Sequence, residues 1–154
     1  MDKTNVMRIL DKKNIAYDEI KYDSNLVDGL SIAQQVGKNP DQVFKTLVTV
    51  SNNLNYYVFV VPVNQTLDLK KAAKTVRVKS IDMIKQKELL PLTGYIHGGC
   101  SPIGMKKQFT TIFHSSAQNF DTICVSGGKV GYQVQINPND LVKIVNGIFA
   151  DIIV

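Results

Sequence analysis

The chain has 154 residues, 44% of them hydrophobic and 20% charged, a balance that fits one domain able to bury about two-thirds of its unfolded surface. Sixteen lysines and two arginines outweigh thirteen acids to give a net charge of +5, with a sequence pI near 9.2. No stretch approaches the roughly 18 apolar residues of a membrane span, and no apolar run follows a basic start as in a signal peptide, so a cytosolic location is expected.

The opening predicts a helix, with Val6, Ile9 and Leu10 at i, i+3, i+4 and Asn14 able to end the turn. Tyr17 to Tyr22 alternates like a strand, and Asp23 to Gly29 reads as a loop. Ser31 to Val36 predicts a short helix closed by Gly37 in the left-handed conformation. After the turn at Asn39-Pro40-Asp41, the β-rich runs Val43 to Val50 and Tyr56 to Val61 face each other across Ser51-Asn52-Asn53. Helices are predicted at Leu67 to Lys74 and Ile81 to Leu89, with a short strand Val76-Arg77-Val78 between them. Tyr95-Ile96 leads into a glycine-rich loop, Gly98 to Gly104. Strands follow at Thr111 to Phe113, Thr122 to Val125 and Tyr132 to Ile136, the last two joined through Ser126-Gly127-Gly128. A helix from Asn139 to Asn146 stands behind Asn137-Pro138 and stops at Gly147, and Ile148 to Val154 ends the chain as an apolar strand. Strands separated by both hairpins and helices imply a mixed sheet in one α+β domain spanning residues 1–154.

Charge is unevenly spread. Between Lys70 and Lys107 nine basic residues meet only Asp82 and Glu88, so this window carries more positive charge than the whole chain. Lysines so placed release counterions from phosphates without reading sequence, although a solvated lysine-rich face has the same composition. Cys100 and Cys124 stand in no metal-ligand spacing, and two histidines, His97 and His114, do not make a zinc set, so neither a metal nor another cofactor is expected.

Three places invite chemistry. On a strand from Val43 to Val50, Lys45 shares a face with Val43, Leu47 and Thr49. An ammonium there either serves a cleft or snorkels outward along an apolar wall, since burying it unpaired costs several kcal/mol. The run Gly98-Gly99-Cys100-Ser101-Pro102-Ile103-Gly104 lets backbone amides approach an anion, or simply makes a tight turn. It lacks the Gly-Lys-Ser/Thr ending of a nucleotide-hydrolase phosphate loop, as does Ser126-Gly127-Gly128-Lys129-Val130-Gly131. Cys100 beside Ser101, with His97 close by, also admits a thiol hydrolase, although adjacency in sequence does not establish a triad.

Taken together, several segments resemble one family. Phe44-Lys45-Thr46-Leu47 after Asn39-Pro40-Asp41-Gln42-Val43 is similar to the lysine-bearing strand of the YbaK/EbsC family, which is related to the editing domain of bacterial prolyl-tRNA synthetase. Leu67 to Lys74, Thr93-Gly94-Tyr95, Gly98 to Lys107, Val125 to Lys129 and the ending from Asp140-Leu141 to Ile152 resemble it in order and spacing, so the likeness spans nearly the whole chain. The resemblance implies a strongly curved mixed sheet flanked by short helices. It implies trans-editing: hydrolysis of the ester between a wrong amino acid and tRNA, most typically Cys-tRNA(Pro), with prolyl-tRNA synthetase as a possible partner. It makes Lys45 the central catalytic residue, holding the acyl carbonyl or the terminal ribose-phosphate. Tyr22, Thr46, Gly98, Gly99, Ser101 and Gln133 become substrate-binding candidates, and Lys70, Lys71, Lys74, Lys106 and Lys107 tRNA-binding ones. For cysteine substrates the family implies attack by the substrate's own thiol, which needs no protein nucleophile.

Three positions depart from the family pattern. Cys100 stands where an aliphatic residue is usual, Gln133 replaces an acid, and Leu26-Val27-Asp28-Gly29-Leu30 lacks an expected aromatic. These bear on the amino-acid pocket more than on the reaction class. Two other readings stay open: a non-catalytic adaptor that binds tRNA or a synthetase, and the Cys100 thiol hydrolase.

Overall fold

The computed structural model describes residues 3–26 and 28–154. Val27, inside the expected loop, lies outside them. Helix α1 (Asn5–Lys12) opens the fold, capped by Thr4, whose hydroxyl accepts from the Met7 amide at 3.2 Å. It buries Val6, Met7 and Leu10. Strand β1 (Tyr17–Lys21) follows, then α2 (Gly29–Val36), which Asp28 caps and which closes on Gly37 at φ 70° as expected. The Asn39-Pro40-Asp41 turn is one turn of tight helix. It leads into β2 (Phe44–Ser51) and β3 (Tyr56–Pro62), an antiparallel hairpin in which Lys45 faces Val61.

The next stretch departs from its sequence pattern. Helix α3 (Leu69–Thr75), capped by Asp68, is present. The strand expected at Val76 to Val78 is not: Arg77 takes φ 61°, a left-handed turn that cannot extend. The helix expected from Ile81 to Leu89 is also replaced. Ile81–Met83 forms β4, antiparallel to Thr49–Ser51 at the edge of β2, followed by a tight turn at Gln86–Glu88 and α4 (Leu89–Thr93). Apolar residues at Ile81 and Ile84 satisfy a helical period, but the free edge of β2 offers these backbone groups partners across the sheet.

Strand β5 (Thr110–His114) lies parallel to β3. Strands β6 (Ile123–Ser126) and β7 (Tyr132–Ile136) make a second hairpin. Helix α5 (Pro138–Val145) starts behind Asn137 and ends with Asn146 at φ 52°, one residue before the expected glycine. The last strand, β8 (Ile148–Ala150), runs parallel to β5. The strands form two sheets: a mixed one ordered β4-β2-β3-β5-β8 and an antiparallel one ordered β1-β7-β6.

The two larger of three apolar cores among the described residues hold them. The larger lies between the sheets, where Phe44, Val48, Val60 and Phe113 meet Ile123, Val125 and Val134, closed by α1 and α5. The smaller lies on the other face of the mixed sheet, where Phe59, Val61 and Ile112 pack under Ala72 and Ala73 of α3. Strand β2 is therefore covered on both faces, which is why its sequence does not alternate cleanly between apolar and polar. None of the described helices is long and apolar enough to cross a membrane.

Candidate active site

The two sheets meet at the start of β2, where Val43 bridges to Cys124 of β6. At the other end of β2, β4 pairs only with Thr49–Ser51, and the Ile84 amide donates to the Val48 carbonyl at 3.3 Å. Among the described residues no strand lines this edge between those two points. Backbone groups alternate in direction along an antiparallel strand, so the N–H and C=O of Thr46, two residues from Val48, face the gap. A cavity of about 550 Å³ fills it, bordered by both faces of β2 from Phe44 to Val48 because the edge between them is open. Its volume falls within the usual range for a small-molecule site.

Lys45 is half-buried on this wall and forms no ion pair among the described residues. Burial lowers its pKa from the ordinary 10.5 because nearby low-dielectric surface penalises the ammonium. It is a cation held without a counter-charge. Two acceptors at the same cavity are in the same condition: Thr46 Oγ1 and Gln133 Oε1 are buried and have no hydrogen-bond partner. These two oxygens lie beneath the surface of residues that border the cavity, so the half-buried Lys45 ammonium is the unpaired group that a ligand's acceptor can reach directly.

Of the residues singled out in the sequence, Tyr22, Lys45, Thr46, Gly98 and Gln133 come together here, with His97 and Cys100. Gly99 and Ser101 do not reach the cavity surface. Gly99 is buried against the β6–β7 hairpin, where a Cβ would sit 3.1 Å from the Val130 amide nitrogen. Ser101 is fully buried, and its hydroxyl accepts from the Ile103 amide at 3.3 Å. Both therefore shape the loop, and of this run Gly98 and Cys100 border the cavity. The lysines are scattered. Lys70 and Lys74 are exposed on α3, and Lys106 and Lys107 follow the glycine loop. Lys71 is committed elsewhere, to Asp151 at 3.1 Å and the Ile153 carbonyl at 2.8 Å.

Sequence reasoning missed the outer wall, formed by Met83, Ile84, Gln86 and Leu89, and also Ser126. The alternation Ile81-Asp82-Met83 was the available signal for the former. Among the described residues no three His, Cys, Asp or Glu side chains converge as a metal set.

Burial pushes the Cys100 thiol up to about 12, against a weaker opposing hydrogen bond with Thr93. A thiol nucleophile acts as thiolate, and this one stays protonated at neutral pH. We expect Cys100→Ser and Cys100→Ala to keep most of the activity of this site. A loss of about a thousandfold with a trapped acyl-enzyme would instead make Cys100 the nucleophile.

Known proteins resemble the chain in sequence and in fold. The sequence model of the aminoacyl-tRNA editing domain family matches residues 28–144. The chain is 43% identical over 152 residues to a candidate Cys-tRNA(Pro)/Cys-tRNA(Cys) deacylase of Enterococcus faecalis, EbsC, covering 97% of this chain and 93% of that one. Among solved structures, a candidate trans-editing enzyme for prolyl-tRNA synthetase superposes with a TM-score of 0.85 at 22% identity, over 100% of this chain and 99% of the other. The protein APE2540 superposes with a TM-score of 0.90 at 17% identity, over 98% and 100%. At such identities these two structures speak for the α+β fold alone.

Proposed function

The chain belongs to the aminoacyl-tRNA editing domain family, and from that premise we propose that it is a single-domain, cytosolic deacylase acting in trans on mischarged tRNA, Cys-tRNA(Pro) foremost. The observation that carries this reading is the unpaired Lys45 ammonium at a gap in the sheet. An aminoacyl ester complements it, since its carbonyl and the adjoining ribose-phosphate accept. Lys45 holds the carbonyl or the phosphate, and the backbone at Gly98 supports the oxygen on which charge develops.

With a cysteinyl ester, the substrate's own thiol attacks the carbonyl carbon. The C–S bond forms, the ester C–O bond breaks, and the proton leaves with the ribose oxygen. This route asks the protein for position and charge stabilisation only, which suits a cavity whose one thiol is held protonated.

Release of labelled amino acid from Cys-, Ala-, Ser- and Pro-charged tRNA(Pro) tests the proposal. Turnover of one or more mischarged forms with little loss of Pro-tRNA(Pro) supports it. No release from any of them would leave the non-catalytic adaptor in its place. The panel also reads the effect of Gln133, a neutral side chain where the family resemblance leads one to expect an acid. An association with prolyl-tRNA synthetase would raise the apparent affinity for tRNA and is tested by adding the synthetase to the same assay.

Binding of tRNA should weaken with salt, each neutralised phosphate contributing about 0.7 to 0.9 to the log–log slope. Lys106→Ala together with Lys107→Ala should flatten that slope at unchanged thermal stability, since both side chains are exposed. A slope equal to that of the unmodified protein would make the pair a solvated surface only.

A further inference from the structure

Two lysines outside the basic window converge on one ring. Lys21 Nζ, at the end of β1, lies 5.6 Å from the centroid of Tyr132, and Lys129 Nζ lies 5.9 Å from it. Neither lysine forms an ion pair among the described residues. A tyrosine face offsets about 0.5–1 kcal/mol for an exposed cation, so both ammonium groups keep charge to offer an anion.

The loop that carries Lys129 supplies further donors. The β6–β7 hairpin is closed by the Gly127 amide to the Tyr132 carbonyl at 2.8 Å and the Tyr132 amide to the Lys129 carbonyl at 3.1 Å. Between these bonds the amides of Lys129, Val130 and Gly131 donate to no partner among the described residues. Gly128 and Gly131 hold positive φ of 90° and 96° at either end of that run. Successive free amides in such a turn make an anion-binding concavity.

The position is as informative as the chemistry. Ser126 and Gln133, which flank the hairpin, line the cavity, and so does Tyr22, the neighbour of Lys21. The buried Gly99 presses on the backbone of Lys129 and Val130 from the glycine-loop side. The hairpin therefore borders the cavity, beside any chain that enters on this side with its end at Lys45.

We propose that Lys21, Lys129 and the free amides of the β6–β7 hairpin form a phosphate seat that takes a phosphodiester of the single-stranded 3′ end whose terminal ester occupies the cavity. The proposal rests on the editing function above and adds a binding point outside the Lys70–Lys107 window. A singly charged diester matches a seat of two cations and neutral amides, and fixing it sets how far the terminal nucleotide reaches into the cavity.

The test is binding of fluorescent, uncharged RNA hairpins across a salt series, with one hairpin carrying an unpaired 3′ end and the other blunt. For the Lys21→Ala/Lys129→Ala variant, the log–log slope with the overhanging RNA should fall by about 0.7 for each phosphate no longer neutralised, as for single strands, and the blunt RNA should bind as before. Lys129→Gln alone should show part of the fall. Its side chain is exposed, so this variant carries the test if the double variant does not fold. No fall, or an equal fall with both RNAs, overturns the seat. Competition by inorganic phosphate as effective as the RNA at equal phosphate concentration would assign the site to a free phosphate and also overturn it. Because uncharged RNA is used, failure of deacylation in the release assay would count against the function, while the slope comparison would still decide the seat.

Discussion

Lys45→Ala lowers deacylation of the preferred mischarged tRNA by about 30- to 1000-fold, corresponding to about 2–4 kcal/mol for removing a charge-assisted hydrogen bond from a partly dry site. Lys45→Arg restores only part of it, because a planar guanidinium does not replace a compact ammonium at the end of a strand-borne stem. The alanine substitution leaves the fold as stable or makes it more stable. Burial depresses the Lys45 pKa below 10.5, so the native state disfavours the proton that the unfolded chain binds normally. That penalty is fully present below the folded pKa and fades as pH rises toward 10.5. Urea titrations should therefore show any gain from Lys45→Ala at pH 7, shrinking as the solution becomes alkaline. A variant that is less stable and retains normal specific activity would make Lys45 a packing residue.

Gly128→Ala destabilises the protein by about 2–5 kcal/mol. The backbone there holds φ 90°, and an added Cβ would sit 2.7 Å from Val6 Cγ2 and 3.2 Å from Tyr95 Cε1. Val6 is fully buried in α1 and Tyr95 nearly so, and the Tyr95 hydroxyl is fixed to the Ile103 carbonyl. Neither neighbour has room to retreat. The left-handed backbone costs about 1–2 kcal/mol, and overpacking a closed core adds about 1–3 kcal/mol. Gly37→Ala is the control: it has a similar φ of 70° but nothing within 4 Å of the new Cβ, so it incurs the backbone part alone. Urea midpoints of the two variants separate the terms. Equal losses would mean that the hairpin moves aside from α1 at no cost.

What can be read from the sequence follows the range of the forces involved. The β2–β3 hairpin and the left-handed stop at Gly37 depend on neighbours in sequence, and both stand as expected. The stretch from Val76 to Leu89 misleads because its structure is decided by the distant edge of β2. It also conceals one wall of the cavity, since Met83, Ile84, Gln86 and Leu89 all come from it. Lys45 is legible as an oddity of charge on an apolar face, and the family resemblance supplies Tyr22, Thr46, Gly98 and Gln133. Ser101 belongs to the glycine run that the site draws on, yet the loop turns its hydroxyl inward to the Ile103 amide. Motif membership marks a loop, whereas orientation is set by packing that a linear reading does not contain.

The gap beside Thr46 also bears on how the chain avoids its own kind. Phe44-Lys45-Thr46-Leu47-Val48-Thr49-Val50 is rich in β-formers, and an open edge along such a run is the sort of template on which strands of other molecules stack. Here the edge opens into a recess walled by α2, the segment after β4 and the glycine loop, so an incoming strand would have to enter between those walls to pair with it. The lysine in the run adds a charge that repeated stacking would bring together again and again. The recess proposed to admit a substrate thus also stands between this strand and pairing with another copy, and trimming its walls to enlarge the pocket should raise the tendency to aggregate.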